Sequence, residues 1–337
     1  MLRKVISGAA CFCLFLTSVV FAGSEGFFYK EINLIGGYSD QERWIDKSGM
    51  TASSLGFEYY RKFSGDYGDY LTADLQARAS YDNTRNSRDA WGLEIHNAWL
   101  EYKFSQYTRL KVGHFDPSFG MEPVLDTHGT LFQTLSEQDI GFKKDWGAQL
   151  KGLLDRFDYE ISLQTGSGMS IRRRDDSYLA TLRIGTPQGR NFQSGLSFLS
   201  GRTLETEGMH TLPKNRLVSD EAINKKRVGL DAQYLYGAFL FKGELSYGTN
   251  DNKEVLGYLS QIDYTVPSLQ NLELQIQFKS WLNDIHSASN DDSALTFGAS
   301  YKLNQTTTLR AAYSRNFGIM QRKPADRFTA QLYFFGA

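Results

Sequence analysis

Apolar and polar residues alternate with a period of two through much of this chain. Leu272, Leu274, Ile276 and Phe278 alternate with Glu273, Gln275, Gln277 and Lys279. Leu71, Ala73, Leu75, Ala77, Ala79 and Tyr81 alternate with Thr72, Asp74, Gln76, Arg78, Ser80 and Asp82. The stretches 295–303 and 327–334 repeat the pattern. A period of two puts every apolar side chain on one face of an extended strand, and helical spacing fits none of these segments. About sixteen such segments follow one another, which suits tilted strands of roughly ten residues joined by turns. They fall near 27–40, 50–64, 69–82, 92–104, 107–116, 145–154, 157–167, 176–186, 190–201, 226–236, 238–249, 253–266, 271–283, 292–303, 306–317 and 325–335.

The connections have a two-beat rhythm. Short ones at 155–156, 236–237 and 304–306 alternate with longer ones at 82–91, 116–144 and 200–225. The connection after 249 is short for the long series. A barrel with short turns at one end and long loops at the other has this rhythm, and an even strand count returns both termini to the short-turn end. A secreted β-sandwich also alternates, but its strands are shorter and its outer face polar. No fixed-length repeat points to a solenoid or propeller.

Composition agrees with a barrel. Mean hydropathy is −0.41. No apolar run beyond the N-terminus reaches the ~20 residues of a spanning helix. Yet 14% of residues are aromatic and 31 are glycine. A transmembrane barrel averages a lipid face against a water face, so a polar mean is expected. Tyr59, Tyr102, Phe104, Tyr264, Tyr301 and Phe334 sit near strand ends, where aromatic girdles meet the lipid–water boundary. The formal net charge of −1 gives no basic excess for nucleic acid.

Residues 1–22 read as a cleaved signal peptide: Arg3 and Lys4, an apolar stretch from Val5 to Phe21, then Ala22. Both cysteines, Cys11 and Cys13, lie inside it, so the exported chain has no disulfide and no thiolate. The expected organisation is a signal at 1–22 and a single-domain barrel at 23–337.

The fifth segment ends in KVGHFDPSFGMEP (111–123), and strand alternation then stops until about Asp145. Pro117 cannot donate to a central ladder, so the strand ends there. Gly113 and Gly120 permit positive φ and close backbone approach. Val124, Leu125, Leu131, Phe132 and Leu135 offer apolar anchors against an inner wall. The stretch NAWLEYKFSQYTRLKVGHFDPSFGMEP, followed by SEQDIGFKKDWGAQLKG, resembles the phosphate-selective porin O and P family over about residues 97–168. The resemblance implies an all-β transmembrane antiparallel barrel of about sixteen strands, with a long constriction loop after strand five folded into the lumen. It further implies an outer-membrane location, contact with outer-membrane lipid, a homotrimer, and passive diffusion of small hydrophilic solutes or anions. No cofactor or metal is implied.

The candidate lining of the constriction is Asp116, Glu122, Asp126, Glu137 and Asp139. Basic candidates on the polar wall are Arg78, Arg109, Lys111, Lys151, Lys279 and Arg310; Arg172, Arg173 and Arg174 are candidates for the mouth. The basic excess on the wall is expected to favour anions weakly, because rings of charge set pore selectivity. The family places lysines on its pore loops, whereas this loop is acidic. An acidic loop facing a basic wall predicts a transverse field that passes small polar solutes of either sign. Competing readings are a plugged structural or adhesive barrel and, less favoured, a barrel hydrolase. The hydrolase needs a histidine paired with a nucleophile or carboxylate. His96, His114, His128, His210 and His286 form no recognisable motif, although His114 and Asp116 share a face.

Overall fold

The computed structural model describes residues 26–41, 43–48, 51–66, 68–81, 90–125, 127, 129–206, 210–212, 218–287, 291–318 and 325–337. The expected signal peptide and Asp126 lie outside these. Sixteen long strands form the wall. They are β1 (Gly26–Ser39), β2 (Thr51–Gly65), β3 (Gly68–Tyr81), β4 (Trp91–Lys103), β5 (Thr108–Phe115), β6 (Asp145–Leu153), β7 (Asp158–Gln164), β8 (Tyr178–Gly185), β9 (Phe192–Thr203), β10 (Ile223–Tyr236), β11 (Phe239–Asn250), β12 (Lys253–Thr265), β13 (Leu272–Leu282), β14 (Asp291–Lys302), β15 (Thr307–Asn316) and β16 (Ala325–Gly336). Two short segments in the first long loop, Arg43–Ile45 and Lys47–Ser48, fold back on β1 and β2.

Each strand pairs antiparallel with its sequence neighbour. β16 closes the ring against β1, from Lys30↔Gly336 to Ser39↔Arg327. Closure gives every wall strand a neighbour on both sides, though not along the full length of each. The alternation decides the faces as the sequence predicts. Ile32, Leu34, Leu75, Leu100, Val112, Leu163, Leu230 and Leu245 point out and are exposed. Glu31, Asn33, Gln76, Arg78, Gln149, Glu160, Arg183 and Asp231 point in and are buried. Aromatic pairs such as Phe28–Phe57 and Tyr102–Phe104 sit on the outer face near the short-turn end, where a girdle is expected.

The wall is low between β5 and β8, which are seven to nine residues long. β5 pairs with β4 only as far as Ala98↔His114, so the first half of β4 rises above its neighbour. The loop between β9 and β10 takes that free edge. The Leu93 N–H donates to the Leu212 carbonyl (2.9 Å) and the Ile95 N–H to the Thr211 hydroxyl (3.0 Å). On the way the loop bonds Gly166 through the Leu204 N–H (2.9 Å) and Gly141 through the Thr206 N–H (3.2 Å). A strap from one long loop thus covers the low sector of the wall.

Candidate functional site

The long connection between β5 and β6 folds into the lumen. The chain turns at Asp116–Pro117, after Gly113 (φ +136) and before Gly120 (φ +63). A β-carbon on Gly113 would lie 2.1 Å from the Ala98 carbonyl, and one on Gly120 would lie 2.0 Å from Glu244 Oε1. Both positions therefore need glycine for conformation and for space.

Wall side chains then hold the loop through its backbone. The Ser118 N–H donates to the Thr181 hydroxyl (3.0 Å) and the Gly120 N–H to the Ser197 hydroxyl (3.1 Å). One carboxylate, Glu244 on β11, accepts from the N–H groups of both Met121 (3.2 Å) and Leu135 (3.1 Å). A short helix, α1 (Ser136–Ile140), follows Leu135. Its C-terminal carbonyl at Ile140 accepts from Lys225 Nζ (3.0 Å) and the Thr203 hydroxyl (2.9 Å). Helix ends leave orphan N–H and C=O groups, and here the wall supplies partners for both ends. Phe119, Ile140 and Phe142 pack with Leu179 and Leu199 of the wall into one buried cluster. Farther along, Phe132 and Leu135 are buried, whereas Val124, Leu125 and Leu131 are only half-buried.

Between the loop and the wall of β2–β4 a polar cavity of about 380 Å³ remains. Arg78, Glu94 and Asn97 line it from the wall, and Asp116, Glu122 and Lys144 from the loop. The charges around it are paired. Lys144 meets both oxygens of Asp116 at 2.7 Å. Glu122 is buried, 3.5 Å from Lys143 Nζ, and accepts from the hydroxyls of Thr127 (2.8 Å), Ser136 (3.2 Å) and Thr134. Arg78 lies 3.1 Å from Glu31 and 3.9 Å from Glu94. Asp139 has no exposed side-chain surface and faces the wall instead of the cavity, 3.5 Å from Arg227 Nε and bonded to the Ser246 hydroxyl. Glu137 is half-buried on α1.

Most of the other wall cations have partners as well. Arg109 and Lys111 share Glu101 at 3.3 and 3.8 Å. Lys151 pairs with Glu160 and Arg183 with Asp231. Arg310 donates to Gln331 (3.2 Å). Lys279 is half-buried on β13. At the long-loop end, Arg172 is exposed, Arg173 lies 3.9 Å from Asp176, and Arg174 lies 3.7 Å from Asp220. Sequence reasoning counted cations and carboxylates by face and found a basic excess; which of them pair across adjacent strands only the register reveals.

His114 is fully buried against the Trp146 ring (centroids 4.8 Å apart), and its Nδ1 lies 3.1 Å from the His96 carbonyl oxygen. The Asp116 carboxylate is engaged by Lys144. Among the described residues no group of three or more His, Cys, Asp or Glu is placed to hold a metal.

Gly120→Ala follows directly from this geometry. A β-carbon at positive φ costs about 1–2 kcal/mol, and here it also displaces the Glu244 carboxylate. The expected result is a barrel that still closes but whose loop is cut faster by protease. A loop as resistant as in the parent would show that Glu244 does not hold it.

No protein-family model and no curated protein sequence matches this chain. Solved structures do. OmpT, an outer-membrane protein of Vibrio cholerae, aligns over 95% of this chain and 100% of its own at 12% identity, with a TM-score of 0.66. An anion-selective porin from Comamonas acidovorans aligns over 93% and 99% at 11% identity, TM-score 0.66. OmpF of Salmonella typhi, in a complex with daunomycin, aligns over 94% and 99% at 10% identity, TM-score 0.65. The likeness extends over nearly the whole of each chain and does not single out the phosphate-selective family. At these identities it establishes architecture: this chain has the fold of the outer-membrane porins.

Proposed function

We propose that this chain is an outer-membrane porin through which small hydrophilic solutes diffuse passively. The observation that carries the reading is the loop pinned across the lumen, with a polar cavity of about 380 Å³ left between it and β2–β4. A plugged barrel has no need of such a space. Asp116, Glu122, Lys143, Lys144, Arg78 and Glu94 are proposed to line the passage; Asp139 is proposed to seat the loop. Because cations and carboxylates alternate around the opening, selectivity between small ions is weak, with any anion preference slight. Lipid surrounds the exposed apolar face. A homotrimer is proposed by analogy with the Vibrio cholerae OmpT, for which a trimer form has been solved.

The test is conductance of the folded protein in a planar lipid bilayer. Stepwise ohmic openings are expected. In a salt gradient, the chloride-to-potassium permeability ratio should lie within about three-fold of unity. No openings would overturn the channel reading, and a strongly one-sided ratio would overturn the weak selectivity.

A further inference from the structure

A row of aromatic rings lines the inner wall one step toward the short-turn end from the cavity. Glu58, Gln76 and Asn97 are cavity-lining residues on β2, β3 and β4, in register with one another and with Tyr29 on β1. Two residues along each strand, on the same inward face, come Tyr60, Asp74, Trp99 and Phe27, again in register. Phe335 on β16 is the register partner of the inward Glu31. The rings touch: Phe27–Tyr29 at 6.3 Å, Tyr29–Phe335 at 4.9 Å and Tyr60–Trp99 at 6.4 Å between centroids. Tyr29, Tyr60, Trp99 and Phe335 are half-buried, and Phe27 is exposed.

These rings belong neither to the lipid girdle, which is on the other face, nor to the buried cluster under the loop. Aromatic surface facing lumen water is unfavourable unless something covers it. The charged groups beside the rings offset one another, with Asp74, the register partner of Trp99, balancing the second cation, Arg109, that shares Glu101. Lys111 lies 4.4 Å from the Trp99 ring centroid and 3.8 Å from Glu101. Lys62 lies 5.9 Å from the Tyr60 ring centroid and 3.7 Å from Asp69. A solute with net charge meets no net countercharge there. A solute with hydroxyls meets both donors and acceptors, set beside flat apolar faces.

We infer that this aromatic row is a low-affinity binding site for an uncharged hydroxylated ring, that is, a carbohydrate, leaving or entering the passage. The C–H face of a sugar ring stacks on Trp99 and Tyr60, and its hydroxyls exchange hydrogen bonds with Lys111, Glu101, Lys62 and Asp74. The inference rests on the channel reading above.

The test is block of ion current by maltotriose added on the short-turn side of bilayer-inserted channels, with benzoate as the competing probe. Maltotriose is expected to reduce the current saturably. Trp99→Ala and Tyr60→Leu are each expected to raise the half-blocking concentration about three- to ten-fold, as loss of a stacking aromatic does. Trp91→Ala, on the outer face, should leave it unchanged. Openings without saturable sugar block, or block untouched by both Trp99→Ala and Tyr60→Leu, would overturn the inference and leave the channel standing. Saturable block by benzoate alone would overturn the carbohydrate assignment. No openings from the parent protein would instead bring down the channel reading itself.

Discussion

Replacing residues 124–134 with a short glycine–serine linker is expected to raise single-channel conductance about two-fold or more, because ion flux follows the narrowest section of a pore. The geometry makes the replacement feasible. Glu244 bonds the N–H groups of Met121 and Leu135 together, so the two ends of the excised segment already lie close to each other. The wall contacts that seat α1 are retained: Asp139 on Arg227, Ile140 on Lys225 and Thr203, and the cluster of Phe119, Ile140 and Phe142. The wall ladder is complete without the loop, so the barrel still closes. What leaves is the middle of the loop, including the Glu122 partners Thr127 and Thr134, the buried Phe132 and the Gln133 carbonyl that accepts from Gln277. Planar-bilayer recordings of the two proteins side by side decide the matter. An unchanged conductance would place the narrowest section elsewhere, with the strap between β9 and β10 the next segment to shorten.

The wall was legible because alternation is a local signal. All sixteen strands lie within three residues of where period two puts them, and the loop after β5 begins where the ladder stops just before Pro117. The seating of that loop was not legible. Glu244 and Leu135 are 109 residues apart, and Asp139 and Ser246 are 107 apart; only barrel closure brings them together. The sequence named Val124, Leu125, Leu131, Phe132 and Leu135 as anchors because they are apolar, and of these only Phe132 and Leu135 are buried. The structure puts the buried anchors largely at its two ends, where the chain is still close to the wall. The acidic character of the loop was likewise overread, since Lys143 and Lys144 fold back onto Glu122 and Asp116. The inward rings needed only parity. Trp99 stands two residues from Asn97 on a strand whose outward residues are Leu100 and Tyr102, but apolar content alone draws the eye to the lipid face.

Arg227→Ala is expected to unseat the loop strongly at pH 8 and much less at pH 5. Arg227 and Asp139 form an ion pair with no exposed side-chain surface. Removing one partner of such a pair costs about 3–5 kcal/mol, since the other charge is left buried and uncompensated. Asp139 is carried by the lumen loop, and burial pushes its carboxyl from 3.8 up to about 6, even with Arg227 opposing the rise. An acid whose folded pKa is raised favours the seated loop when protonated, and that contribution fades as pH climbs through the folded value. At pH 5 the carboxyl is largely neutral in both proteins, so little is lost with the guanidinium. At pH 8 it is ionised, and the variant has lost the paired guanidinium, with only the weaker influence of Lys225 left. Protease cleavage of the loop in the folded, detergent-solubilised barrel, followed at the two pH values, reads the difference. Adding Asp139→Asn to Arg227→Ala should restore resistance at pH 8. Equal sensitivity at both pH values would trace the loss to another contact, the packing of the Arg227 guanidinium over the Trp281 ring at 5.6 Å. The loop would then be seated by shape at this point and not by charge.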